Sequence, residues 1–124
     1  MIRRILIADD EPNIVTSLEF LMRGDDFDVR VARNGEEALR LAESFRPDLV
    51  LLDVMMPRRS GFEVCRKIRE NPALRNVKIV MLTAKGRDVE KERGLDLGAN
   101  AYVTKPFSTK ELMNTVRGLL PGRD

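Results

Sequence analysis

The sequence predicts an α/β domain: a doubly wound, five-stranded parallel sheet of order 2-1-3-4-5 with helices on both faces. Three observations carry that expectation. Short apolar runs that end in acids read as strands buried on both sides, which suits a parallel sheet. Segments with helical spacing of apolar residues separate these runs, so strand and helix alternate five times along the chain. Strict alternation requires right-handed crossovers that send helices to both faces. At 124 residues the chain can bury one good core and is too short for two ordinary domains, so 1–120 reads as one domain and 121–124 as a tail or the start of a linker.

The first strand is expected over Arg3–Ala8 (RRILIA), ended by Asp9. Ile14, Leu18, Leu21 and Met22 then share one helical face, and Val29–Ala32 supplies a second strand. Ala38, Leu39 and Ala42 mark the next helix, followed by the apolar run Leu49–Leu52 (LVLL), which stops at Asp53. Phe62, Cys65 and Ile68 define the third helix. Lys78–Leu82 (KIVML) and Ala101–Thr104 (AYVT) have the β-branched content of strands four and five. The helix between them has a thin apolar face of Val89, Leu95 and Leu97, weakened by Gly94. The last helix carries Leu112, Val116 and Leu119 or Leu120. Ser108 followed by Glu111 reads as a capping box at its start, and Pro121-Gly122 ends it.

Composition narrows the function classes. Hydrophobic residues make up 43% and charged residues 34% of the chain, the balance of an ordinary globular domain. No stretch approaches the roughly 18 apolar residues a membrane span needs, and the apolar run before Asp9 is too short for a signal core. The single cysteine, Cys65, has no internal partner and no histidine to share a metal with, since the chain has none; it reads as a small buried hydrophobe in a cytoplasmic protein. Formal net charge is +2, with basic residues scattered among acids, so no direct nucleic-acid contact and no membrane contact is expected.

In a sheet of this order a ligand sits outside the carboxyl ends of the strands. The residues there are Asp9 and Asp10 after strand one, Asp53 after strand three, Thr83 after strand four and Lys105 after strand five. Taken alone, Asp9-Asp10 would serve equally well as a turn or a helix cap. Three carboxylates in one crevice, however, repel one another unless a cation joins them. With oxygen donors and no histidine, Mg²⁺ or Mn²⁺ suits the set better than zinc. Lys105 and the Thr83 hydroxyl would add an anion site beside the metal. Met55 and Met56 read as core filler by their side chains, Pro57 and Gly61 as loop-shaping residues, and Arg58 and Arg59 as solvated.

These residues resemble the receiver domain of two-component response regulators, with its chemotaxis-receiver-like, flavodoxin-like fold. The acidic doublet in LIADDEP, the aspartate in LLDVMMPRRSG, the hydroxyl and small residue in MLTAKG and the Lys-Pro in YVTKPFS carry the likeness over nearly the whole chain. The resemblance implies that Asp53 accepts a phosphoryl group from a sensor histidine kinase or histidine phosphotransfer protein. It further implies that Asp9, Asp10, Asp53 and the Met55 carbonyl hold Mg²⁺, while Lys105 and Thr83 contact the phosphoryl oxygens. The domain would catalyse its own phosphorylation and dephosphorylation without being an enzyme in the ordinary sense. Thr83 and Tyr102 would act as the switch, reshaping the α4-β5-α5 surface for a downstream output domain or protein. Ala84 would leave the site open, Met55 and Lys85 would flank the path of attacking water, and the Lys105-Pro106 peptide would be cis.

Two rival readings use the same acids differently. An aspartate-nucleophile phosphatase would need a second aspartate two residues after the nucleophile, where Met55 stands, and flavodoxin would need a hydroxyl-rich phosphate loop in place of Asp9-Asp10-Glu11. A phosphorylation-independent binding module of the same fold would retain the acids for structure alone. The segment GLDLGANAYVTKPFSTKELMNTV also resembles receivers of winged-helix transcription factors that dimerise through their last helix and strand. Ala101 and Thr115 stand where that subfamily has a pairing acid and arginine, so a monomer or a weak phosphorylation-dependent dimer is expected.

Overall fold

A computed structural model describes residues 2–84, 86 and 88–121; the expectations for Lys85 and Gly122 and most of the tail lie outside the described residues. Five strands, β1 (Arg4–Ala8), β2 (Asp28–Ala32), β3 (Leu49–Asp53), β4 (Lys78–Ala84) and β5 (Ala101–Lys105), form one sheet in the order β2-β1-β3-β4-β5. Every pairing is parallel. Helices α1 (Pro12–Gly24), α2 (Gly35–Phe45), α3 (Gly61–Glu70), α4 (Asp88–Asp96) and α5 (Thr109–Leu119) fill the crossovers. The expected fold class and strand order hold.

The two-residue period of the strands explains how a continuous apolar run serves two cores. Leu49 and Leu51 point to one face, where Ile5, Ile7, Val80, Leu82 and Val103 meet Leu18 and Met22 of α1 and Leu112 and Val116 of α5. Val50 and Leu52 point to the other, where Leu6, Ala8, Ile79 and Met81 pack under Ala38 and Ala42 of α2 and Cys65 and Ile68 of α3. Each large side chain so buried contributes roughly 1.5–3 kcal/mol. Cys65 is fully buried in this second core, and burial pushes its thiol above the usual range.

Helix starts are set by side-chain caps. Asn34, Ser60 and Ser108 accept from the backbone N–H three residues on, at Glu37, Glu63 and Glu111. Each therefore satisfies one of the unpaired donors of a first helical turn. Only Ser108 was legible as a cap beforehand.

Helix α4 departs from its expected face. Val89 and Leu95 are exposed, and the buried positions are Glu90 and Gly94. A Cβ on Gly94 would stand 3.1 Å from Met81 Cγ, so the glycine lets this helix approach the sheet without an apolar side chain of its own. Arg69 of α3 braces the far end of the same region. Its guanidinium donates to the carbonyls of Gly98 and Val77 and to Asn100 Oδ1, at 2.7–2.8 Å. Burial lowers the Arg69 pKa, yet these acceptors hold the charge between α3, the start of β4 and the start of β5.

Candidate functional site

The carboxyl ends of β1, β3, β4 and β5 converge on one pocket. Asp53 is the last residue of β3 and pairs in register with Leu82, while Thr83 and Lys105 lie within β4 and β5, paired with Thr104 and Ala84. The strands thus run one to two residues further than their apolar runs, and three of the expected site residues are fixed by the sheet itself. Asp9 follows β1 directly, with its backbone N–H donating to the Ala32 carbonyl at 3.1 Å. Gly61 closes the loop after Asp53 by donating its N–H to the Val54 carbonyl at 2.9 Å.

Asp9, Asp10 and Asp53 each offer a carboxylate oxygen, and the three oxygens lie within 4.8 Å of one another. Asp9 and Asp53 are buried, whereas Asp10 faces solvent. Lys105 supplies the opposing charge. Its Nζ stands 2.9 Å from Asp9 Oδ2, 3.0 Å from Glu11 Oε1 and 3.4 Å from Asp53 Oδ1. The Lys105-Pro106 peptide is cis. Met55 donates its backbone N–H to Asp53 Oδ1 at 3.3 Å, and its side chain is exposed rather than in the core, because the residue lies in the loop between β3 and α3 and not in a packed element. Met56 is partly buried against the second core, as expected.

The electrostatics show strain in this anionic cluster. Burial, then the charge of Asp9, raises the Asp53 pKa to about 6, against the lowering influence of Lys105 and the Met55 N–H. Burial works against the Lys105 charge, but the close contacts with Asp9 and Glu11 and the charges of Asp53 and Asp9 outweigh it, leaving the ammonium pKa raised. Asp9 Oδ2 is buried and has no hydrogen bond, its contact with Lys105 being an ion pair outside hydrogen-bond geometry. A hard divalent cation fits this donor set: three clustered carboxylate oxygens, with no nitrogen or sulfur ligand in the cluster among the described residues.

Thr83 is almost fully buried, and its hydroxyl has no hydrogen-bond partner among the described residues. An unpaired buried hydroxyl is costly in this state and leaves a donor available to another oxygen. Next to it Ala84 is exposed. Tyr102 points outward, about two-fifths exposed, with Lys91 Nζ 4.8 Å from its ring centroid. Arg58 and Arg59 do more than meet solvent: Arg58 pairs with Glu36 of α2 and Arg59 with Glu63 of α3.

Of the expected residues the structure brings Asp9, Asp10, Asp53 and Lys105 into contact and sets Thr83 near the carboxyl end of β4; sequence reasoning gave Glu11 no part. Its position beside the acidic doublet was the available signal, and its reach to Lys105 across 94 positions is a product of the fold.

Comparison with known proteins places this pocket in a wider context. The family model described as "Response regulator receiver domain" matches residues 5–117. The chain is 45% identical over 120 residues to the alkaline phosphatase synthesis transcriptional regulatory protein PhoP of Bacillus subtilis, covering 97% of this chain and 49% of that protein. It therefore spans about half the length of that curated relative. Among solved structures, the chemotaxis response regulator CheY4 of Vibrio cholerae superposes with a TM-score of 0.90 at 28% identity, covering 96% of this chain and 99% of that one. The receiver domain of the sensor histidine kinase PA1611 from Pseudomonas aeruginosa matches with a TM-score of 0.88 at 32% identity, covering 97% and 98%, and that protein has a magnesium ion coordinated in its active-site cleft.

Proposed function

This chain belongs to the response regulator receiver domain family, phosphoryl-accepting signalling domains, and on that premise we propose that Asp53 accepts the phosphoryl group in a Mg²⁺-dependent reaction and that the domain relays the change to an output. One observation carries the reading: two buried aspartates and a third carboxylate converge within 4.8 Å, beside a lysine ammonium 3.4 Å from Asp53. Asp9, Asp10 and Asp53, with the Met55 carbonyl, would hold the cation; Mn²⁺ has the same ligand preferences. When bound, the cation neutralises charge on the phosphoryl oxygens and on the carboxylates around them.

The residues do the remaining work by position. A carboxylate oxygen of Asp53 attacks phosphorus, the bond from phosphorus to the donor's leaving atom breaks, and an acyl phosphate results. Phosphoryl transfer leaves little covalent work to a protein, so alignment and charge supply most of the rate. Lys105 lies within reach of the new phosphoryl oxygens. The unpartnered Thr83 hydroxyl is a donor waiting for one of them, and a hydrogen bond to a charged group contributes roughly 1.5–3 kcal/mol, comparable to a typical allosteric coupling of about 1–3 kcal/mol. Movement of Thr83 would vacate space behind it for Tyr102 and so alter the surface formed by α4, β5 and α5. Water attacking the acyl phosphate in the same pocket would end the signal.

The donor would be a sensor histidine kinase or a histidine phosphotransfer protein, and the receiver an output domain or partner protein. The relative from Bacillus is a transcriptional regulatory protein about twice this length, so the expectation of no nucleic-acid contact concerns this unit, and an output segment joined to it would make any such contact. A monomer or a weak phosphorylation-dependent dimer remains the proposed assembly. The test is direct: with Mg²⁺ and phosphoramidate, wild type should gain the mass of one acid-labile phosphoryl group and Asp53→Asn should gain none. Equal labelling of the two proteins would refute the assignment.

A further inference from the structure

We propose that Glu11 is a positioning residue that holds the Lys105 ammonium toward β1 and away from Asp53, restraining phosphoryl acceptance until that contact breaks. The inference rests on the proposed role of Asp53. Its starting point is a side chain that its own helix does not use. Glu11 occupies the N-cap of α1 but makes no side-chain cap hydrogen bond, whereas Asn34, Ser60 and Ser108 cap α2, α3 and α5. Glutamate is not among the residues a helix N-cap prefers. The Glu11 backbone N–H is already taken by Asp9 Oδ1 at 2.9 Å. Its carboxylate reaches across the pocket instead, and Oε1 accepts from Lys105 Nζ at 3.0 Å.

The geometry around Lys105 is asymmetric. Nζ lies at 2.9 Å and 3.0 Å from Asp9 and Glu11 but 3.4 Å from Asp53. An ammonium has three donors and a compact charge. With Asp9 and Asp53 as its other neighbours, the donor directed at Glu11 is the one an incoming phosphoryl oxygen would have to displace, and the Glu11 charge offsets part of the field Lys105 would offer that group. Glu11 lies outside the cluster of Asp9, Asp10 and Asp53, so removing its contact leaves those three carboxylates in place. The lysine side chain is 15% exposed and that of Glu11 59%, which sets the glutamate at the rim and the ammonium beneath it. A restraint at the rim is weak enough to be broken by an arriving anion.

The test compares wild type, Glu11→Gln and Glu11→Asp in Mg²⁺ with phosphoramidate, following intact mass over time, and titrates each protein with beryllofluoride, a phosphoryl mimic, by NMR. Gln removes the charge. Asp keeps it but is one methylene too short to preserve the Lys105 contact. Release of the lysine should speed labelling by about two- to five-fold in both variants, the range expected for a partly exposed ion pair, and tighten beryllofluoride binding by a similar factor. Acceleration in Glu11→Gln alone would mean simple repulsion of an anionic donor and would overturn the restraint, as would unchanged or slower labelling in both. A wild type that never gains phosphoryl mass would overturn the reading of Asp53 and this inference with it, an outcome visible before the variants are compared.

Discussion

Gly61 lies so close to Asp53 that a Cβ at the glycine would come within 2.1 Å of the Asp53 carbonyl oxygen. The first residue of α3 is thus pressed against the backbone that carries the candidate phosphoacceptor. Gly61→Ala cannot be accommodated by rotating a flexible side chain, because the obstacle is main chain. We expect a loss of about 1–3 kcal/mol, the cost typical of overpacking, read as a lower urea midpoint, and slower labelling because the loop must shift Asp53. Unchanged stability would show that the loop gives way freely.

The raised pKa of Asp53 makes a signed prediction for stability against pH. The folded protein keeps a proton on Asp53 up to about 6, whereas the ordinary value is 3.8. Between these values the folded state binds more protons than the unfolded chain, so stability falls as pH rises through that window. The contribution is fully present below about 3.8 and lost above about 6. Its ceiling is on the order of 3 kcal/mol, since each pKa unit corresponds to about 1.4 kcal/mol, and coupling to Asp9 and Lys105 will spread it. In chelator, Asp53→Asn should be more stable than wild type at pH 7 and should lose that advantage near pH 4. Parallel pH curves for the two proteins would contradict it.

Adding Mg²⁺ should reverse the same imbalance. At ten times its dissociation constant a ligand stabilises by about 1.4 kcal/mol, which for a domain of this size raises the melting temperature by about 3–6 °C. The rise should be clear at pH 7.5, shrink as pH falls through about 6 and protonates Asp53, and be much reduced in Asp53→Asn. A melting temperature indifferent to millimolar Mg²⁺ at pH 7.5 would remove the cation from the mechanism.

Thr83→Ala separates stability from signalling. The Thr83 hydroxyl is buried without a partner among the described residues, so its loss costs little, while the buried methyl lost with it costs about 1 kcal/mol; the unphosphorylated variant should stay within about 1 kcal/mol of wild type. The variant should still acquire the phosphoryl group, but hydrogen exchange over α4 and β5 should no longer change on labelling. A wild-type exchange response in the variant would show that the surface is reached by another route.

Much of the site was legible because its members stand at the ends of apolar runs. A buried parallel strand must end where its chain reaches solvent, so Asp9 and Asp53 announced both the strand ends and the pocket. Other residues misled because periodicity reports spacing and not what lies opposite. Val89 and Leu95 resembled an apolar face, yet they are exposed while Gly94 meets Met81. Met55 resembled core filler, yet the loop carries its side chain outward.

The order of elements, the parallel sheet and the identity of the convergent acids follow from the sequence alone, since each depends on local apolar spacing and on the topology that such alternation permits. Only the tertiary structure decided that Lys105 leans toward Glu11, that Arg69 ties α3 to the starts of β4 and β5, and that Gly61 touches the backbone of Asp53. The lysine and arginine contacts join residues 94, 29, 8 and 31 positions apart. All three relationships depend on distances and directions set when helices and strands pack, to which no local pattern of residue types is sensitive.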